Sequence, residues 1–168
     1  FNSFAFIVLP IINFSLISYY LRNYFRIPDE RRQIVLDTIL IALLVYGFVA
    51  LALVCVVFYY YCQWSKVSFS YFPYALLTFA PIYLGNFATL YLVKCRCERE
   101  AGRYSAVTVL SALLGTLLAI FLVVIYKYGA TGRLLATLLA SIVTAVYCFK
   151  NSIGKLQFDF SVIKEALK

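Results

Sequence analysis

Five long runs without a single Asp, Glu, Lys or Arg dominate this chain, at 1–21, 38–65, 67–93, 104–126 and 134–149. A helix needs about 20 apolar residues to cross the ~30 Å hydrocarbon core of a bilayer, and as a helix it satisfies its own backbone hydrogen bonds there. The first four runs meet that length. The fifth has 16 residues and reaches it by starting near Tyr128, with Arg133, one turn inside the end, extending its guanidinium to the interface. A water-soluble fold could not hide a composition that is 64% hydrophobic and 13% charged, against about a quarter charged in soluble domains. The expected fold is all-α: a polytopic membrane helix bundle of five transmembrane helices over 1–150. Its spans lie near 3–20, 38–61, 69–93, 104–126 and 128–149. A cytoplasmic linker and the start of an amphipathic helix follow over 151–168.

The charges give the spans a direction. Four Lys or Arg separate spans one and two (Arg22, Arg26, Arg31, Arg32), one separates two and three (Lys66), and four separate three and four (Lys94, Arg96, Arg99, Arg103). Two lie between four and five (Lys127, Arg133) and four in the tail, so alternate loops carry 12 against 3. The positive-inside rule puts the rich loops in the cytoplasm, with residue 1 outside and residue 168 inside. Tyr59, Tyr60, Tyr61 and Trp64, and Tyr126 with Tyr128, gather where headgroup-seeking aromatics belong on the outer side. The net charge of +8 is confined to loops, so topology explains it better than nucleic acid; membrane lipid is the expected partner. The chain begins with Phe1, contains no Met and stops within a helical pattern, which reads as an internal piece of a longer protein. The first twenty residues lack the basic n-region and cleavage site of a signal peptide.

Span three holds Pro73, Pro81, Gly85 and Asn86. Pro81 cannot donate to the carbonyl of Leu77, and Gly85 weakens the helix one turn later, so a bend is expected. Pro81 and Gly85 form a candidate hinge and Asn86 a candidate cavity wall; a static kink met by a neighbouring helix is the competing reading. Asn13, mid-span in the first helix beyond Pro10, must face other helices or a polar cavity. It serves as interhelical glue or as a substrate contact. Thr108, Ala112, Thr116 and Ala119 in span four, with Ala136, Ala140 and Thr144 and the adjacent Thr137 and Ser141 in span five, form stripes of small residues. They read as packing surfaces, not as a site. Arg22, Arg26, Arg31 and Arg32 surround the expected turn Pro28-Asp29-Glu30. Such forks suit phosphate, although topology and anionic lipid also account for them; Arg22 is the favoured candidate for substrate contact because it lies nearest a span.

Nothing points to catalysis. The acids Asp29, Glu30, Asp37, Glu98, Glu100, Asp159 and Glu165 are all expected in cytoplasmic loops or the tail, no charged pair falls in mid-membrane, and no phosphate loop or nucleophile elbow occurs. Cys55, Cys62, Cys95, Cys97 and Cys148 have no His to join them at a metal, and Cys95-Arg96-Cys97 is too tight for a zinc pair. They read as free thiols acting as small apolar residues. No enzyme activity, metal or cofactor is expected.

Tyr20-Leu21-Arg22-Asn23-Tyr24 leading to Asp37-Thr38, the outer turn Gly129-Ala130-Thr131-Gly132-Arg133-Leu134, and the tail from Lys150 through Phe158-Asp159-Phe160 to Lys168 resemble one known family in order, spacing and orientation. They are similar to helices two to six and the following linker in the amino-terminal lobe of polysaccharide flippases, within the multidrug, oligosaccharidyl-lipid and polysaccharide exporter superfamily. The resemblance covers nearly the whole chain. It implies two lobes around a basic cavity, alternating access, and flipping of lipid-linked oligosaccharide or polysaccharide repeat units (O-antigen among them) across the bacterial inner membrane. It also implies the remaining lobe of the same protein as a partner. Arg22, Asn13 and Asn86 are then the candidate substrate-binding residues. A multidrug-type exporter would want acids in its spans, and an integral membrane enzyme of sugar-lipid assembly would want a catalytic His or an acid-rich loop.

Overall fold

The computed structural model describes residues 16–64 and 71–152, and these are helical apart from short turns. In order they form α1 (Leu16–Asn23), a 3-10 turn (Tyr24–Arg26), α2 (Asp29–Trp64), α3 (Tyr71–Cys97), α4 (Ala101–Ile120) closed by a π-helical turn (Phe121–Ile125), and α5 (Gly129–Ser152). Four stretches are long and apolar enough to cross a membrane: Asp29–Val57, Tyr74–Cys97, Ala101–Ile125 and Gly129–Ser152. The protein is thus an all-α membrane helix bundle. Of the expected first span only 16–20 is described; Asn13, Pro10, Lys66 and the linker beyond Ser152 lie outside the described residues.

α2 begins well before its apolar run. Pro28 precedes it, the Arg31 amide donates to the Pro28 carbonyl at 2.9 Å, and Asp29 and Glu30 occupy the first turn. Acids there complement the positive end of the helix dipole. The expected Pro28-Asp29-Glu30 turn is therefore a helix start. At 36 residues, α2 extends about 54 Å at 1.5 Å per residue, so it projects beyond the hydrocarbon.

α3 is the hub, packing against α1, α2 and α5. One face (Tyr83, Phe87, Leu90, Val93, Cys97) meets Tyr20, Tyr24, Leu36, Ile39, Leu40 and Leu43. The other (Ala88, Tyr91, Cys95) meets Val107 of α4 and Cys148 of α5. Phe87 and Phe149 pack edge to face at 5.8 Å, a favoured arrangement of ring quadrupoles. The Tyr83 hydroxyl donates to the Leu44 carbonyl at 3.0 Å and ties α3 to α2. Helix α3 continues unbroken through Pro81. Cys55, Cys95, Cys97 and Cys148 are free thiols, and the last three are buried among apolar side chains.

α4 stands outermost. None of its most apolar stretch is buried, and Val109, Leu110, Leu113, Leu117, Ile120 and Val124 are all at least half exposed. An apolar surface of this extent has no stable contact with water, and hydrocarbon is its natural surrounding.

Candidate functional site

Two regions of the bundle carry polar chemistry. The first is the end where α1, α3 and α5 finish and α2 and α4 begin. Gln33 on α2 donates both to the Asp37 carboxylate (Oδ1, 2.9 Å) and to the backbone carbonyl of Ser152 on α5 (3.0 Å), joining residues 119 apart. Asp37 is 1% exposed, and Ser152 is 2% exposed with its hydroxyl lacking a partner among the described residues. Asp37 therefore lies inside the bundle and not in the expected loop, one turn along the helix from its amide partner.

Nine of the eleven described Lys and Arg residues are at this end, and three of them are committed to local structure. Arg32 donates from Nε to the carbonyls of Tyr24 and Ile27, both at 3.2 Å, pairs with Asp29 and lies 4.4 Å over the Tyr24 ring. It closes the α1–α2 corner. Burial pushes the Tyr24 phenol above its ordinary value despite the opposing pull of Arg32. Arg96 donates to the Tyr104 hydroxyl at 2.7 Å and lies over that ring, while Arg103 grips both oxygens of Glu100 at 2.9 and 2.8 Å. Arg22, Arg26, Arg31, Lys94, Arg99 and Lys150 make no ion pair among the described residues, and all but half-buried Lys94 are exposed. Arg32 therefore separates from the cluster in which spacing had grouped it.

The turn between α3 and α4 holds Arg99 in place. The Arg99 amide donates to Arg96 at 3.2 Å and the Glu100 amide to Cys95 at 2.9 Å, with Arg99 at φ 59°. This pattern of paired bonds usually takes glycine at the left-handed position.

The second region is a groove of ≈640 Å³ between α3, α4 and α5. Gly85 and Ala88 form its α3 wall, Ser111, Ala112, Gly115, Thr116 and Ala119 its α4 wall, and Arg133, Thr137, Ala140, Ser141 and Thr144 its α5 wall. The small-residue stripes do bring two backbones together, since a Cβ on Gly115 would lie 3.8 Å from that of Ala140. Beside that contact the helices part, and the same stripes line an opening. Each hydroxyl donates to a carbonyl of its own helix: Ser111 to Thr108, Thr116 to Ala112, Thr137 to Arg133, Ser141 to Leu138 and Thr144 to Ala140, at 2.8 to 2.9 Å. The groove wall thus presents no spare proton donor except the guanidinium of Arg133, and it contains no acid.

Of the candidate residues, Arg22 is exposed at the end of α1 and Asn86 is 3% exposed within the bundle; neither lines the groove. Gly85 does line it, with nothing within 4 Å of where a Cβ would stand. Sequence reasoning missed Gln33, Ser111 and Ser152. The i,i+4 spacing of Gln33 and Asp37 was the one local signal for the polar network. Among the described residues no group of His, Cys, Asp and Glu could hold a metal ion. Comparison with family models, with curated proteins and with solved structures gives no match to this chain.

Proposed function

We propose that the chain is part of a membrane transporter that flips a lipid-linked oligosaccharide or polysaccharide unit across the bacterial inner membrane by alternating access. In this reading residue 1 is outside, residue 168 is cytoplasmic, and a second lobe of the same protein completes the path. The observation that carries it is the division of labour at the basic end. Arg32, Arg96 and Arg103 are consumed by local contacts, whereas Arg22, Arg26 and Arg31 stand exposed without an ion pair among the described residues. Guanidinium forks of that kind suit the phosphates of a lipid-linked donor. A pump for cationic drugs is less well supported, because Asp37, the one deeply buried acid among the described residues, already accepts a hydrogen bond from Gln33.

The test is a complementation assay with the full-length protein. Arg22→Ala is expected to abolish surface polysaccharide at unchanged protein abundance, and Arg22→Lys to restore part of it. Normal polysaccharide in Arg22→Ala removes that residue from the path. Normal polysaccharide after deletion of the whole protein, without a redundant transporter, removes the function.

A further inference from the structure

We propose that the groove between α3, α4 and α5 is a binding site for one anionic phospholipid, with its phosphate at Arg133 and an acyl chain lying along the small residues of α4 and α5. This does not rest on the transport reading. Three observations converge on that occupant. The groove runs along α5 from Arg133 to Thr144, which is about 16 Å at 1.5 Å per residue, close to half of the ~30 Å hydrocarbon core and so the depth of a single leaflet. Its only charge stands at the end next to Tyr126 and Tyr128, which stack at 5.9 Å where headgroup-level aromatics are expected. Below Arg133 the wall offers methyl groups, glycine backbone and hydroxyls whose protons are already given to their own helices.

A saccharide would need donors and acceptors in the wall, and here the wall has one donor. An acyl chain needs none. Arg133 makes no ion pair among the described residues and is exposed, so its charge remains available to a phosphate, for which guanidinium is well shaped.

The experiment uses the full chain in phosphatidylcholine vesicles doped with phosphatidylglycerol carrying a photoreactive group on one acyl chain. Cross-linked residues are mapped by mass spectrometry. Cross-links are expected at Ala112, Thr116 and Ala140, about fivefold more than from a phosphatidylcholine probe with the same chain, the discrimination one basic residue gives near a membrane surface. Arg133→Gln should remove that preference and Arg133→Lys should keep it. Labelling around Arg26 and Arg31 should stay constant in every variant, which controls for folding and reconstitution. Equal labelling of the groove by both probes, labelling unchanged in Arg133→Gln, or no groove labelling because a second protein copy fills it would each overturn the proposal.

Discussion

Replacing Gly132 by alanine tests a close backbone contact between α5 and the turn that follows α4. A Cβ at Gly132 would stand 3.0 Å from the Leu122 carbonyl oxygen, 3.2 Å from its carbon and 3.0 Å from the Tyr128 Cβ. The carbonyl cannot simply retreat, because it accepts the Tyr128 amide at 3.2 Å as the chain leaves the π turn, and Tyr128 in turn accepts from the Gly132 amide at 3.4 Å. Overpacking of this kind costs about 1–3 kcal/mol. Alanine also gains up to about 1 kcal/mol in helix propensity, so the proper reference is another glycine in a first helical turn. Gly102 serves, since nothing lies within 4 Å of its Cβ position. The two substitutions share the propensity gain, and their difference isolates the clash. Gly132→Ala should therefore melt below Gly102→Ala by roughly 2–12 °C, at about 2–4 °C per kcal/mol for a domain of this size. The assay is thermal unfolding of the full chain in detergent, read by size-exclusion recovery after heating. Gly132→Ala melting at or above Gly102→Ala would refute the reasoning.

Arg99→Gly removes an L-residue from the left-handed position and should stabilise the protein by about 1–2 kcal/mol, seen as a higher Tm in the same assay. Arg32→Lys keeps the charge but loses the planar fork that reaches two carbonyls and stacks on Tyr24; faster amide exchange confined to 24–29 is expected. Gln33→Leu removes the amide that bridges Asp37 and the Ser152 carbonyl, at about 0.5–1.5 kcal/mol for each hydrogen bond lost, and should loosen the end of α5 in hydrogen exchange while α4 is unaffected. Tyr83→Phe removes the bond to Leu44 and should cost about 0.6 kcal/mol, the usual worth of an interhelical bond in a membrane.

Four of the charge-free runs overlap the helices long and apolar enough to cross a membrane, as expected where hydrocarbon excludes ions, but such runs could not locate helix ends. The hydrocarbon limits where charge lies, while the peptide hydrogen bond continues regardless; hence α2 starts at Asp29, nine residues before Thr38. The stripes on spans four and five were visible as a 3.6-residue period. Their role as groove walls was not, because a period names a face and leaves open how far its neighbour stands away. Gln33 and Ser152 stayed hidden for a related reason, since the contact between them joins residues 119 apart. Nothing in the sequence set Arg32 apart from the other arginines near Pro28, and only the carbonyls of Tyr24 and Ile27, brought together by the corner, distinguish it.

The hydroxyls that turn back onto their own helices bear on how the protein is made. Thr78, Thr89, Thr108, Thr116, Thr137 and Thr144 each donate to the carbonyl four residues earlier, a bond that forms as soon as the helix does. These threonines can leave the insertion machinery before any neighbouring helix exists without carrying a bare hydroxyl hydrogen into lipid. Gln33 is different, because the Ser152 carbonyl becomes available only after α5 is synthesised. The early helices must therefore wait, with the water-facing start of α2 still open, until the last described helix arrives to close it.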